Sequence, residues 1–164
     1  MISVLLVDDY PIIRRMARQI LDRHSDIHVI GEADTGEEAV VQVARLKPAV
    51  VVIDIQLPGM TGIQATTVIK RQSPSITVIG LTAGALESTQ VAMRDAGAAT
   101  VLNKEDLLDT LYPTIIEVSM GSKNKSQVRL NEFDQLCVEN YLALLESTYK
   151  DWNRLNDPPP HNNR

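Results

Sequence analysis

Five short apolar runs alternate with segments of helical periodicity along most of the chain. The runs cover residues 3–7, 27–31, 50–53, 77–81 and 100–102. Because they are short and rich in β-branched residues, they fit strands that are covered on both faces. Strands that alternate with helices favour a parallel sheet with right-handed crossovers. The sequence therefore predicts an α/β fold with a doubly wound parallel sheet.

Single residues mark the ends of the predicted helices. Pro11 is expected near the start of the first helix, and Thr35 just before the second. Pro113 lies in the fifth helical segment, and a proline is best tolerated in a first turn, where its missing N–H costs little. We therefore predict that the fifth helix starts near residues 109–110, with residues 107–108 in the preceding loop.

Polar side chains stand where the predicted strands end. Asp8 and Asp9 follow the first strand, Asp54 ends the third, Thr82 ends the fourth, and Lys104 comes shortly after the fifth. Ligands of doubly wound sheets bind at the carboxyl ends of the strands. We therefore expect three carboxylates, one hydroxyl and one ammonium group to converge at one edge of the sheet.

This combination of groups predicts phosphoryl chemistry. Crowded carboxylates repel one another unless a cation lies among them, and Mg²⁺ prefers oxygen ligands, including those of phosphate. A carboxylate can attack phosphorus when a metal and a nearby cation absorb the charge of the transferred group. Lys104 would supply that cation, and the Thr82 hydroxyl could bond a phosphoryl oxygen.

Four segments, VLLVDDYP, VVVIDIQLPGMTGI, VIGLTAG and VLNKED, resemble the signature segments of the receiver domains of response regulators in two-component signalling. The resemblance covers about residues 1–121. It implies a flavodoxin-like (βα)5 fold with strand order 2-1-3-4-5. It also implies a phosphoryl donor, either a sensor histidine kinase or a histidine phosphotransfer protein.

The resemblance assigns a role to each matched residue. Asp54 would be the phosphoacceptor, Thr82 the switch hydroxyl and Lys104 the partner of the phosphate. The implied Mg²⁺ site uses the carboxylates of Asp8, Asp9 and Asp54 and the main-chain carbonyl of Gln56. In this site Asp9 would be a direct ligand, and Asp8 would assist it.

One position departs from the family pattern. Receivers usually carry Tyr or Phe three residues before the lysine, and its ring turns inward when the switch hydroxyl moves. This chain has Val101 there. A valine has no ring to turn, so we expect the usual readout on the face formed by the fourth helix, the fifth strand and the fifth helix to be muted or altered.

The character of the sequence changes after residue 121. Residues 122–130 are predicted to form a polar linker, 131–156 an amphipathic C-terminal helix, and 157–164 a disordered tail. A long apolar stripe favours a homodimer through this helix, and packing of the helix on its own receiver is the alternative. Its members are Leu130, Phe133, Cys137, Tyr141, Leu144, Thr148, Trp152 and Leu155, of which only Thr148 is polar.

Composition excludes several other classes of protein. The formal net charge is −5, and the 16 Lys and Arg residues form no cluster, which argues against nucleic acid as a partner of this chain. A single cysteine, Cys137, fits a reducing compartment. No apolar stretch approaches the roughly 20 residues that span a bilayer. We expect a cytoplasmic protein without a membrane partner.

Two rival functions stay open beside a phosphorylated signalling module that is not an enzyme. A Mg²⁺-dependent phosphohydrolase of the haloacid dehalogenase type needs a second Asp two residues after its nucleophile, where this chain has Gln56, whose amide cannot donate the required proton. The chain could also be the receiver part of a DNA-binding transcriptional regulator. Against this, the sequence after residue 121 has one long helical pattern and no basic face.

Overall fold

The computed structural model describes residues 1–84 and 86–120. Five strands and five helices alternate along them, as the sequence predicts. The strands are β1 (Ile2–Val7), β2 (Ile27–Ala33), β3 (Val50–Asp54), β4 (Thr77–Thr82) and β5 (Thr100–Asn103). The helices are α1 (Pro11–Leu21), α2 (Gly36–Leu46), α3 (Gly62–Gln72), α4 (Glu87–Asp95) and α5 (Leu107–Met120), with a 3₁₀ turn over Lys104–Asp106.

All strand pairs are parallel, and the strand order is β2-β1-β3-β4-β5. This order confirms the predicted flavodoxin-like sheet. The register aligns Val7 with Ile53, and Asp54 with Leu81, so the strands carrying the polar residues end side by side. Chain order therefore reverses between β1 and β3, which is where ligands of such sheets bind.

The central strands are apolar because helices cover the sheet. All five residues of β3 are buried, and β4 is buried from Val78 to Thr82. On the helical side, α1 contacts α5, while α2 contacts α3 and α3 contacts α4. The carboxyl ends of the strands are left as the place where polar side chains can reach solvent.

The helix starts and ends follow the expected local chemistry. Pro11 occupies the first turn of α1, where its missing N–H leaves no bond unmade. The hydroxyl of Thr35 caps α2 by accepting a hydrogen bond from the amide of Glu38 at 3.2 Å. Thr61 and Gln64 form a reciprocal capping box at the start of α3. The caps of α2 and α3 restrain the loops that follow β2 and β3.

The predicted start of α5 is wrong. The helix begins at Leu107, directly after the 3₁₀ turn, and Pro113 lies inside it. Leu107, Leu111 and Ile115 follow at helical spacing, and all three are completely buried. Burying a leucine side chain contributes about 1.5–3 kcal/mol, which is comparable to the ~3 kcal/mol that an internal proline costs. The buried stripe therefore outweighs the proline signal.

Several predictions concern residues outside the described part of the chain. They are the linker over 122–130, the amphipathic helix over 131–156 and the tail over 157–164. Within residues 1–84 and 86–120, no helix combines the length and the apolar character needed to cross a bilayer.

Candidate functional site

Three carboxylates meet where β1 and β3 end. Asp8 and Asp9 follow directly on β1, and Asp54 is the last residue of β3. One oxygen from each lies within 4.8 Å of the others. Asp8 and Asp54 are each only 2% exposed, whereas Asp9 is half-buried. The convergence predicted from the sequence is therefore present, and two of the three carboxylates are in a poorly solvated position.

Lys104 places its ammonium group between the two buried carboxylates. Its Nζ lies 2.7 Å from Asp54 Oδ2 and 2.7 Å from Asp8 Oδ2. The contact with Asp54 is a hydrogen bond, and the contact with Asp8 is an ion pair of the same length. Lys104 is the first residue of a 3₁₀ turn that follows β5 directly, and the side chain of Asn103 caps this turn by accepting from the amide of Glu105.

Main-chain amides hold the other oxygen of each buried carboxylate. The amide of Tyr10 donates to Asp8 Oδ1 at 2.9 Å, and the amide of Gln56 donates to Asp54 Oδ1 at 3.1 Å. In both cases the donor is two residues further along the chain. The turns after β1 and β3 therefore aim these carboxylates at the edge of the sheet, because each turn is closed by the carboxylate that it presents.

Burial and the lysine act in opposite directions on these groups. Burial raises the pKa of Asp8, aided by the nearby Asp54 charge, and the bond and charge of Lys104 and the Tyr10 amide only partly offset it. Burial by itself would lower the pKa of Lys104, but its bonds to Asp54 and Asp8 outweigh that effect and raise it. Lys104 therefore stays charged at neutral pH.

The carboxylates fit a hard divalent cation. Asp9 Oδ1 is buried and has no hydrogen-bond donor within the described part of the chain. A buried carboxylate oxygen without a partner is costly, and a cation would satisfy it. The donors are all oxygens, which suits Mg²⁺ better than metals that prefer nitrogen or sulfur. Asp8, Asp9 and Asp54 would hold the ion in this arrangement.

Thr82 and Gln56 lie next to the carboxylates in different environments. Thr82 is the last residue of β4 and is 4% exposed. Its neighbour Leu81 pairs with Asp54 across the sheet, so the hydroxyl belongs to the same edge. Gln56 is exposed in the loop after β3. Its side chain is an amide, which supplies no general acid.

Glycine allows α3 to pack closely against the end of β3. A Cβ on Gly62 would lie 2.0 Å from the main-chain oxygen of Asp54, a distance that no side chain could adopt. Gly59, in the turn between them, has a φ of +71°, a conformation that favours glycine. The loop that follows Asp54 therefore connects β3 and α3 at a point where the two elements are in close contact.

Two contacts of the site were not predicted from the sequence. The ring of Tyr10 lies with its centroid 5.6 Å from Lys104 Nζ, a cation–π contact at the rim. Arg14 donates from Nη1 to the main-chain oxygen of Asp8. The available signal for Arg14 was its spacing of four residues from Arg18, which puts both on one face of α1. Nothing in the spacing indicates that this face turns toward the site.

Comparisons with known proteins agree with this geometry. The family model of the response regulator receiver domain matches residues 4–115. The chain is 33% identical over 123 residues to the response regulator GacA of Pseudomonas protegens, covering 75% of this chain and 58% of GacA. It is 34% identical over 155 residues to the response regulator protein VraR of Staphylococcus aureus, covering 88% of this chain and 74% of VraR.

A solved structure extends the comparison to the fold. A DNA-binding response regulator of the LuxR family from Staphylococcus aureus superposes with a TM-score of 0.68 at 25% identity, covering 73% of this chain and 99% of that one. The present chain spans only 58% of the length of GacA. Because the family model matches more than half of the 164 residues and includes every strand end that carries a site residue, this chain belongs to the response regulator receiver family of two-component signalling.

Proposed function

We propose that this chain accepts a phosphoryl group on Asp54 from a phosphohistidine, carried by a sensor histidine kinase or a histidine phosphotransfer protein. The observation that carries the proposal is the shared contact of Lys104 with Asp54 and Asp8, beside a third carboxylate. In the transfer, a carboxylate oxygen of Asp54 forms a bond to phosphorus as the P–N bond breaks. The imidazole leaves with the electron pair and takes up a proton.

The described residues support a different role for each side chain in this step. Lys104 is charged and lies at the carboxylate that reacts, so it can offset negative charge on the transferred group. The Thr82 hydroxyl can donate to a phosphoryl oxygen from the neighbouring strand end. Asp8, Asp9, Asp54 and the main-chain oxygen of Gln56 would hold Mg²⁺, which supplies further charge neutralisation when bound.

The test is phosphorylation by a small donor. We expect the full chain, incubated with acetyl phosphate and Mg²⁺, to gain the mass of one phosphoryl group in intact-mass spectrometry, and to lose this gain without Mg²⁺. Asp54→Ala should abolish the adduct because the nucleophile is gone. Asp34→Ala removes an exposed carboxylate after β2 and serves as the matched control. A normal adduct on Asp54→Ala would refute the assignment.

We further propose that the phosphorylated chain acts by contact with other proteins and performs no catalysis beyond its own phosphorylation and dephosphorylation. The net charge of −5 and the absence of a Lys and Arg cluster support an output other than nucleic acid binding. In this proposal residues 1–121 are the receiver, and residues 131–156 are a helix that joins two copies in the cytoplasm.

A second candidate function is the receiver part of a DNA-binding regulator. It is favoured by the similarity to a solved DNA-binding response regulator, and by the similarity to VraR over 155 residues, which extends beyond the matched receiver domain. Anisotropy of labelled duplex DNA distinguishes the two outputs. Binding that weakens steeply with added salt would favour DNA binding, because phosphate contacts release counterions, whereas no binding would favour a protein partner.

A further inference from the structure

Arg14 connects α1 to the acidic edge of the sheet. Its side chain is 16% exposed, donates from Nη1 to the main-chain oxygen of Asp8 and pairs through Nε with Glu32 Oε2 at 3.2 Å. Arg18, one helical turn later, pairs with the other oxygen of Glu32 at 2.6 Å. Two guanidinium groups thus share the carboxylate of Glu32 on β2. Within the described residues, only Arg14 of the two also contacts Asp8.

The carbonyl that Arg14 contacts belongs to the planar peptide that joins Asp8 to Asp9. The other polar groups of Asp8 are also bound, because its amide donates to Ala33 O at 3.1 Å and its Oδ1 accepts from Tyr10. The atoms of this peptide move as a unit, so holding its oxygen restrains ψ of Asp8 and φ of Asp9, the torsions next to the two side chains. Asp9 Oδ1 has no donor within the described residues, so its own hydrogen bonds do not fix its direction.

We propose that Arg14 is a positioning residue for the divalent cation. It holds the peptide between Asp8 and Asp9 so that their carboxylates converge, and it touches neither the cation nor the phosphoryl group. Glu32 holds the guanidinium through Nε and so restricts where Nη1 points. This inference rests on the proposed function only in taking the cation to be Mg²⁺.

Positioning and simple electrostatics predict opposite effects of removing Arg14. A positive charge near a cation site disfavours the cation, so its loss alone would strengthen Mg²⁺ binding. Loss of the positioning contact would weaken binding, because the two carboxylates would no longer be held together. Arg18 carries the same charge on the same carboxylate without the contact to Asp8, which makes Arg18→Ala the matched control.

The experiment is a Mg²⁺ titration of the ¹⁵N-labelled full chain followed by two-dimensional NMR. We expect Arg14→Ala to raise the dissociation constant about tenfold, as is typical when a group that orients a metal ligand is lost. Arg18→Ala should leave it unchanged or lower it slightly. Before Mg²⁺ is added, the amide signal of Asp9 should shift in Arg14→Ala and stay in place in Arg18→Ala.

A conservative variant covers the case in which Arg14→Ala does not fold. Arg14→Lys keeps the charge, but a single ammonium group cannot reach both Asp8 O and Glu32 in the geometry of the guanidinium fork. We expect it to raise the dissociation constant at least about threefold.

The outcomes separate the inference from the proposed function. If the unaltered chain binds Mg²⁺ and neither Arg14 variant binds it more weakly than Arg18→Ala, the positioning role is overturned while the proposed function stands. If the unaltered chain binds no Mg²⁺, both are overturned.

Discussion

Lys104 contacts two carboxylates that are almost completely removed from water. Each of these carboxylates would be expensive to bury alone, and their proximity adds repulsion. One ammonium group between them compensates two negative charges only in part. The pKa of Asp8 is accordingly raised, mainly because the group is buried, and Lys104 offsets only part of this rise. At the scale of the residue, the site is therefore left with excess negative charge, which would favour a divalent cation among the three carboxylates.

Glu32 gives a prediction on pH at the same scale. Partial burial by itself would raise its pKa, but the bonds and charges of Arg18 and Arg14 outweigh burial and hold the pKa below the ordinary 4.5. The stability that these ion pairs contribute is thus fully present above pH 4.5 and is lost as the pH falls through the lower pKa of the folded state. A third of the Glu32 side chain is exposed, so solvent screening limits the contribution to about 1 kcal/mol.

We therefore expect Glu32→Gln to lower the free energy of unfolding by about 1 kcal/mol at neutral pH and by less under acid conditions. Urea unfolding of both proteins at a series of pH values measures this difference. Glu117→Gln removes an exposed carboxylate of α5 and should cause no comparable change. An equal loss of stability from Glu32→Gln at neutral and acid pH would contradict the ion-pair explanation.

At the scale of the element, strand positions were predictable because five buried parallel strands require five apolar runs. The sheet order followed from the resemblance, and the structure confirms both. The start of α5 was not predictable from Pro113, because the burial of Leu107 depends on which tertiary surface the helix meets. The contact of Arg14 with Asp8 was missed for a related reason, since spacing along α1 shows which residues share a face but not what that face contacts.

The edge strand β5 gives a second prediction at this scale. Val101 is half-buried and packs against the core cluster that includes Val78 and Met93. It has no ring to move between buried and exposed positions. With beryllofluoride and Mg²⁺, we expect chemical shifts to change mainly in the loops after Asp54 and Thr82, and only slightly at Val101.

Two-dimensional NMR of the full chain with and without beryllofluoride measures this pattern, and Asp54→Ala controls for binding elsewhere. If the largest changes fall on β5 and α5, the absence of an aromatic ring does not mute that surface. The same spectra would then show that another side chain transmits the change.

At the scale of the whole molecule, the prediction concerns association. The apolar stripe from Leu130 to Leu155, which the sequence predicts on one face of a helix, is broad for a segment that could not form a core alone. This favours a second copy of the chain as its partner. Light scattering at tens of micromolar should give twice the monomer mass for the full chain and the monomer mass after deletion of residues 126–164. A monomeric full chain, both with and without beryllofluoride, would exclude the homodimer.

The position of Lys104 in the chain has a consequence for the order of folding. It follows the last strand and lies 50 residues beyond Asp54, whereas the strands that carry the acidic residues are adjacent at the centre of the sheet. During synthesis the acidic strands therefore emerge well before the side chain that compensates them. Closing so distant a contact is slow, because chain entropy is lost before the contact stabilises anything. Until β5 docks, Asp8 and Asp54 would lack the ammonium group of Lys104, so we expect a chain in which β5 is undocked to be less stable than the finished receiver.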